Sequence, residues 1–182
     1  MTEKIKDGPF KFYYDNGKLQ SERTYKDDKL DGPFKVYYDN GKLKSEGTYK
    51  DDELDGTIKS YFDNGQLQWE STFNNGKFDG VWKRYYDNGK LENEGTYKNG
   101  EQDGPFKSYY YENGQLEYEV TYKDGKFDGV WKRYYDNGKL KSEGTYNKDG
   151  EQDGLWKSYY DNGKLKSERT YKDGELIDSK KY

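Results

Sequence analysis

The sequence predicts an all-β protein in which tandem β-hairpin repeats, about seven units of 24–25 residues, form an elongated, curved antiparallel meander sheet. Three observations predict this class. An Asp-Gly pair recurs every 24 residues, or every 25 where one residue is inserted. Two turn dipeptides divide each unit into β-prone runs. Aromatic residues make up 19% of the 182-residue chain. A period of this length is typical of repeat proteins, whose units contact mainly their neighbours.

The repeats organise the chain into one predicted domain, residues 1–182. We expect an N-terminal cap over residues 1–6, seven repeats over residues 7–176 and a C-terminal cap over residues 177–182. The repeats begin at Asp7, Asp31, Asp55, Asp79, Asp103, Asp128 and Asp153. A residue that recurs in every unit is first a scaffold residue, so a local binding site is sought where the copies differ.

The composition narrows the possible chemistry. Only 29% of the chain is hydrophobic and 37% is charged, but 22 Tyr, 8 Phe and 4 Trp supply rings that a thin sheet can half-bury. The net charge of −4 comes from interleaved basic and acidic residues, a pattern that favours solvated faces over nucleic-acid binding. The chain has no Cys and no His, which excludes disulfide, zinc-finger, thiol and imidazole chemistry.

The first residues carry no targeting signal. The start, MTEKIKDG, lacks an apolar segment, and no apolar run in the chain approaches membrane-spanning length. We therefore expect a cytoplasmic protein, unless a leader segment was removed from it.

Each 24- or 25-residue repeat contains two turns. The first is an Asn-Gly pair such as Asn88-Gly89, the strongest short signal for a hairpin, because both residues tolerate positive φ. A two-residue turn there places Tyr86 opposite Leu91, and the same offset applies in every unit. The second turn is Asp-Gly or Asn-Gly in most units and Asp-Asp in the first two. Two turns per unit leave strands of about ten residues.

The predicted register brings complementary side chains together. It places Trp131 opposite Gly144 on one side of the pleat and Lys132 opposite Glu143 on the other, and equivalent pairs recur along the chain. An aromatic ring can cover backbone that Gly leaves bare. Opposite charges across strands contribute about 0.2–1 kcal/mol per pair and disfavour slipped registers.

Proline residues indicate a bend in the repeat. Pro9, Pro33 and Pro105 each follow an Asp-Gly pair, and Pro is disfavoured inside interior strands. We therefore expect the sheet to bend at the Asp-Gly pair of every unit.

The repeated pattern resembles a known family. The motif G-x-[FW]-x-x-[YF]-[YF]-x-N-G-x-L-x-x-E, followed by Tyr or Phe and a second turn, is similar to the MORN-variant repeat of bacterial proteins, from about Asp7 to Leu176. The resemblance implies an all-β repeat protein without catalytic residues of its own. Proteins built of these repeats are often labelled antitoxins or immunity proteins. It therefore implies a protein-binding module that neutralises a bacterial toxin by direct binding. The alternative is a structural or membrane-associated scaffold that self-associates through its aromatic face.

Enzymatic and metal chemistry are the less favoured interpretations. A pair of carboxylates can hydrolyse glycosides, but the recurring glutamates are seven equivalents that fit a Lys-pairing ladder. These are Glu22, Glu46, Glu70, Glu94, Glu119, Glu143 and Glu168. The Asp-Asn-Gly triplets lack the further oxygen ligands of a calcium loop, and turn chemistry explains them. We expect no catalytic residues, no cofactor and no metal.

A second row of tyrosines offers a candidate contact surface. It comprises Tyr13, Tyr37, Tyr61, Tyr85, Tyr109, Tyr134 and Tyr159. Cross-strand stacking explains such a row, and a protein-binding surface is the sharper alternative, because Tyr offers a large rigid contact area. Alternating Glu residues would repel the phosphates of a nucleic acid. The central members, Tyr61, Tyr85, Tyr109 and Tyr134, are candidate partner contacts.

The positions where repeats differ give the other candidates. One strand position and its predicted opposite vary among Ser, Asn, Val, Phe, Arg, Tyr and Trp. Large or charged residues there are Trp69, Arg84, Tyr118 and Arg133, which we predict to contact a protein partner. Drift with size compensation across the pair is the alternative. A cognate toxin is the expected partner and a homo-oligomer a second possibility, with no nucleic acid and no basic membrane-binding patch in the sequence.

Overall fold

A computed structural model describes residues 6–182, which form sixteen β-strands and no helix. Neighbouring strands pair antiparallel in chain order, so the predicted all-β meander of tandem hairpins is confirmed. The chain divides into two compact units, Met1–Lys90 and Leu91–Tyr182. The N-terminal cap predicted over residues 1–6 lies outside the described residues except for Lys6. Within the described part, no helix has the length and apolar character needed to cross a membrane.

The first unit contains eight strands. They are β1 (Gly8–Tyr13), β2 (Leu19–Lys26), β3 (Lys29–Tyr37), β4 (Leu43–Lys50), β5 (Glu53–Leu54), β6 (Gly56–Tyr61), β7 (Leu67–Asn74) and β8 (Lys77–Tyr85). The short β5 pairs with β4 beside β6. The segment that forms one continuous strand in β3 is therefore divided here into β5, at the end of the second repeat, and β6, in the third repeat.

The second unit also contains eight strands. They are β9 (Leu91–Lys98), β10 (Glu101–Tyr109), β11 (Leu116–Lys123), β12 (Lys126–Tyr134), β13 (Leu140–Tyr146), β14 (Gly154–Tyr159), β15 (Leu165–Lys172) and β16 (Glu175–Lys181). The predicted C-terminal cap provides most of β16, which pairs with β15.

The Asn-Gly turns differ from the predicted two-residue form. The Tyr135 N–H donates to the Lys139 carbonyl at 2.8 Å, and the Gly138 N–H donates to the Tyr135 carbonyl at 2.9 Å. This is a three-residue loop in which only Gly138 has positive φ, at 78°. The Asn137 Oδ1 instead accepts the Lys139 N–H at 3.0 Å. Asn is therefore selected for its side-chain hydrogen bond and not for its backbone conformation.

A bulge beside this loop explains why the predicted pairs beyond it are nevertheless right. Tyr134, and not its neighbour Tyr135, faces Leu140, so the prediction for the pair nearest the turn is wrong. The register then shifts by one residue before the next pair. The shift restores the predicted pairs Trp131 with Gly144 and Lys132 with Glu143.

In six of the seven repeats the second turn is a two-residue turn with positive φ at both positions. In the sixth repeat a three-residue loop joins Asn147 to Glu151, and within it only Gly150 has positive φ. Asn75 and Gly76 have φ values of 47° and 72°. The same conformation persists where no glycine is present, since Asp27 and Asp28 have φ values of 47° and 65°. This is the geometry of a type I′ hairpin turn.

The predicted bend at each Asp-Gly pair is a β-bulge. Phe73 pairs with Phe78 and Ser71 pairs with Trp82, so a single residue of β7 lies opposite three residues of β8. Gly80, inside this segment, has a φ of 123° that side-chain-bearing residues rarely adopt. The bulge therefore changes the register by two residues within one strand pair.

Strand alternation gives each unit an aromatic face and a ladder face. In the first unit the aromatic face buries Phe34, Ile58 and Phe73, and Trp69 and other half-buried side chains pack against them. The ladder face carries the recurring Lys, Glu and Tyr residues. The core is thus one layer of side chains on one side of the sheet, as expected from the low aliphatic content.

The ring that covers Gly144 is not the one predicted. Trp131 faces Gly144 in the register, but a β-carbon at Gly144 would overlap the ring of Trp156, in the next repeat. In the same way, a β-carbon at Gly95 would lie 2.8 Å from the Phe106 ring. The small residues therefore make room for rings of the following hairpin.

Candidate protein-binding face

The ladder face is an internally neutralised network. In the second unit, Glu119 lies between Lys107 and Lys132 on the two adjacent strands. Its carboxylate also accepts a 2.9 Å hydrogen bond from the Tyr134 hydroxyl, which belongs to the next repeat. The same tyrosine-to-glutamate bond joins Tyr37 to Glu22, Tyr61 to Glu46, Tyr85 to Glu70, Tyr109 to Glu94 and Tyr159 to Glu143.

These contacts perturb the titration of the tyrosines. Burial, followed by the hydrogen bond to glutamate, raises the pKa of Tyr61 and of Tyr134 to about 12. In the first repeat, the hydrogen bond from Lys11 and, second, the hydrogen bond from Tyr37 lower the pKa of Glu22. The charged carboxylate and the neutral phenol are therefore the favoured partners.

The four candidate tyrosines all lie on this face and are committed to internal contacts. Tyr61, Tyr85, Tyr109 and Tyr134 are half-buried, and each hydroxyl donates to a glutamate within its own unit. Their geometry is that of hydrogen-bonded ties between repeats, so their hydroxyls already have a partner inside the protein.

The other four candidates lie on the aromatic face as two cross-strand pairs. In the first unit, Trp69 faces Arg84. Trp69 is half-buried and packs against the Phe34–Ile58–Phe73 cluster, whereas Arg84 is exposed. The pair therefore joins a ring anchored in the core to a cation at the surface.

The second unit repeats this arrangement. Tyr118 faces Arg133, and the Tyr118 ring stacks on Phe106 with centroids 5.8 Å apart. The Arg133 Nη2 forms a 2.7 Å ion pair with Glu117 Oε1, while its Nε is buried and has no hydrogen-bond partner among residues 6–182. Burial raises the pKa of Tyr118, so its hydroxyl stays protonated. A shallow depression between Tyr118, Arg133 and Trp131 has a volume of about 280 Å³.

The eight candidates thus divide between two opposite faces, with two aromatic–arginine pairs on one of them. Sequence reasoning missed Glu117, which orients Arg133. The signal for it was present, because Glu occupies this repeat position only at residues 92 and 117, while Gln or Lys occupies it elsewhere.

Ring contacts run continuously through the aromatic face of the second unit. Tyr122 contacts Phe127 and Phe127 contacts Tyr146, both with centroids 4.8 Å apart. Tyr146 meets the Trp156 ring edge-on at 5.2 Å. Burial raises the pKa of Tyr122 to about 12. The face therefore offers a rigid aromatic surface, the type of surface that anchors protein interfaces.

The described residues offer no site for a metal ion. Across residues 6–182, no group of three or more Asp or Glu side chains is placed to hold one.

The sequence pattern of the MORN repeat variant matches seven segments that together span most of the chain. They are residues 6–27, 30–51, 54–75, 78–99, 102–124, 127–148 and 152–173. This chain belongs to the MORN repeat variant family. The assignment agrees with the hairpin repeats and with an architecture that fits a β-repeat protein-binding module.

Comparison with solved structures gives weak likenesses. The GtfA/B complex bound to UDP and GlcNAc matches with 15% identity and a TM-score of 0.36, over 62% of this chain and 24% of that chain. The structure of TcdB2-TccC3-Cdc42 matches with 11% identity and a TM-score of 0.25, over 91% of this chain and 11% of that chain. This MORN repeat chain therefore spans a quarter or less of these two chains. No curated protein sequence matches it significantly.

Proposed function

We propose that this MORN repeat protein is a non-enzymatic binding module of bacterial origin, an antitoxin or immunity protein that neutralises a toxin in the cytoplasm by direct binding. Neutralisation by occlusion needs shape and charge complementarity and no bond-making chemistry. The family membership supports a binding role, and the family resemblance noted above motivates the toxin as partner.

One observation carries the choice of binding face. The Trp69–Arg84 and Tyr118–Arg133 pairs occupy equivalent repeat positions, one pair in each of the two compact units, where the other repeats place Ser, Asn, Val or Phe. Trp, Tyr and Arg are the residues most enriched at interface hot spots. The ladder face is a poorer docking surface, because its charges already face opposite charges and its tyrosine hydroxyls are occupied.

Co-expression with the toxin encoded beside it tests the proposal. Growth rescue and a co-purifying complex are expected for the native chain. Replacing the two pairs by serine, as Trp69→Ser with Arg84→Ser and Tyr118→Ser with Arg133→Ser, is expected to weaken binding at least about a hundredfold. Serine is the commonest residue of the other repeats at these positions, so the variants retain the repeat pattern.

A matched control lies on the opposite face. Val81 and Val130 are about half exposed on the ladder face of β8 and β12. The third repeat carries Thr57 at the equivalent position, so Val81→Thr with Val130→Thr is compatible with the fold. This control is expected to keep full rescue. If the native chain neither forms a complex with the toxin nor rescues growth, the antitoxin role is refuted.

The continuous ring contacts of the second unit favour a second candidate, a scaffold that self-associates through the aromatic face or lies against a membrane. Light scattering during size exclusion and sedimentation with anionic liposomes distinguish it. A monomer that does not sediment with lipid removes this candidate, whereas a stable oligomer that is abolished by the Tyr118 and Arg133 variants establishes it.

A further inference from the structure

In the last repeat, Arg169 occupies the position that Gly144 holds in the repeat before it. Gly144 lies beneath the Trp156 ring of the next hairpin, whereas Arg169 of β15 faces the small residue Ser179 of β16. A groove is left open beside Arg169 on the aromatic face.

The groove is lined by rings, hydroxyls and cations. Its volume is about 620 Å³, within the range of ligand sites. Trp131 and Trp156 stack at one end with centroids 5.3 Å apart, and the Trp156 indole N–H donates to the Thr145 carbonyl at 3.2 Å. The hydroxyls of Ser158 and Ser167 lie 2.7 Å apart on the groove wall. The Trp156 ring is therefore fixed in place before a ligand arrives.

The charge of this groove is unusual for an acidic chain. Four cationic residues line it, of which Lys157 faces Glu143 and Glu168 on the ladder face, and no Asp or Glu of the described chain lines it. They are Lys157, Lys166, Arg169 and Lys181. Arg169 and Lys181 are exposed on the aromatic face of adjacent strands, opposite Ser179 and Ser167 respectively. The groove is thus complementary to a ligand that carries more than one negative charge.

The groove adjoins β16, the last described strand of the second unit. All seven residues of β16 are exposed, and β16 pairs only with β15 among the described residues. An edge strand presents unpaired backbone N–H and C=O groups to an incoming strand. Peptides that add to such an edge gain main-chain hydrogen bonds and place alternate side chains into neighbouring pockets. A free phosphate or a lipid headgroup uses the cations but not this edge.

We propose that the groove formed by Trp156, Arg169 and Lys181 binds an acidic, extended segment of a protein partner, which adds to β16 as a strand. Alternate carboxylates of the segment pair with Arg169 and Lys181, and an intervening apolar or aromatic group packs near the Trp156 ring. The inference deepens the proposed binding function by naming a second contact area and the charge of the segment it receives.

A fluorescein-labelled peptide in which glutamate alternates with valine and tyrosine is the probe, and fluorescence anisotropy against the full chain is the measurement. Saturable binding that weakens with salt is expected. Arg169→Gln with Lys181→Gln is expected to weaken binding by about tenfold or more. The same peptide with glutamine in place of glutamate is expected not to bind.

A control with the same change in net charge separates this groove from general electrostatics. Arg23→Gln with Lys180→Gln removes the equivalent arginine of the first repeat and the neighbouring lysine of β16. Arg23 faces Phe34, and Lys180 lies opposite Glu168 on the ladder face, with its Nζ 4.7 Å from the Tyr182 ring centroid. This control is expected to change binding less than about twofold. Equal losses in both double variants, or no binding by the native chain, overturn the proposal.

Three further measurements identify other occupants. Binding of inorganic phosphate or of phosphatidylserine vesicles that needs Arg169 and Lys181, with no peptide binding, overturns the proposal in favour of a small anion or a membrane. A dimer in light scattering that blocks the peptide overturns it in favour of a second copy at β16. Absence of peptide binding by the native chain, with toxin rescue intact, would refute this inference alone and leave the proposed function standing.

Discussion

The Tyr109 hydroxyl donates a 2.7 Å hydrogen bond to the Glu94 carboxylate of the preceding repeat. Glu94 also faces Lys107, so one carboxylate serves a cation and a phenol at once. This contact recurs along the ladder face and ties each hairpin to the one before it. A repeat protein gains its stability from such nearest-neighbour contacts, since no single repeat has a core of its own.

Removing one of these ties is expected to destabilise the fold measurably. Tyr109→Phe should lower the free energy of unfolding by about 1–2 kcal/mol, because a half-buried hydrogen bond to a charged group is lost. Urea denaturation followed by circular dichroism measures it. Tyr13→Phe is the control, since Tyr13 belongs to the first repeat and is 57% exposed, and it should change stability by less than about 0.5 kcal/mol. Equal effects would contradict the ladder account.

The raised tyrosine pKa values predict instability in alkali. The folded-state pKa of Tyr61, Tyr134 and Tyr159 is raised to about 12, above the ordinary value of about 10. Their contribution to stability is thus complete below pH about 10 and is lost as pH rises towards 12. Near-ultraviolet phenolate absorbance should show a late-titrating class of tyrosines, coincident with loss of β-sheet circular dichroism. Titration of all tyrosines near pH 10 with the sheet intact would refute this.

The glycines beneath rings are expected to resist substitution for steric reasons alone. Gly144 has ordinary backbone angles, but a β-carbon there overlaps Trp156. Gly144→Ala should cost about 1–3 kcal/mol through overpacking. Trp156→Leu should relieve part of that cost, so a double-mutant cycle should give a coupling energy of at least about 0.5 kcal/mol. Additive effects would show that the ring is not responsible.

The two turn types predict opposite responses to glycine. Asn64 uses its Oδ1 to accept the Gln66 N–H at 2.9 Å and its Nδ2 to donate to the Asp87 carbonyl at 3.1 Å. Asn64→Gly should therefore cost about 1 kcal/mol. Asn75 has a φ of 47°, so Asn75→Gly should be neutral or mildly stabilising. Thermal unfolding of the two variants compares them directly, and a neutral Asn64→Gly would instead support a two-residue turn.

Much of the fold follows from local spacing. Alternation with period two places Lys132 opposite Glu143 and Trp131 opposite Gly144 once the hairpin is recognised. The loop itself is longer than predicted, and the compensating bulge kept those pairs correct. Sequence spacing predicts which residues face each other within a hairpin. It cannot distinguish a two-residue turn from a three-residue loop followed by a bulge, because both give the same pairs beyond the bulge.

The candidate site was only partly accessible from sequence. Variation between repeats selected Trp69, Arg84, Tyr118 and Arg133 as candidates, and the register places them in two cross-strand pairs. The tyrosine row was a less informative candidate, because its hydroxyls donate hydrogen bonds to glutamates of the preceding repeat. Which glutamate of the preceding repeat each hydroxyl reaches depends on the register between successive hairpins. The bulge at Asp-Gly sets this register.

The sequence by itself determined the repeat, the antiparallel order and the two faces, because these depend on contacts between residues close along the chain. Tertiary structure alone decided which ring covers Gly144, which glutamate Tyr109 meets and where Arg169 is left uncovered. These are contacts between successive hairpins. Their register depends on backbone conformation at each bulge, which changes the pairing by two residues without altering the spacing in the sequence.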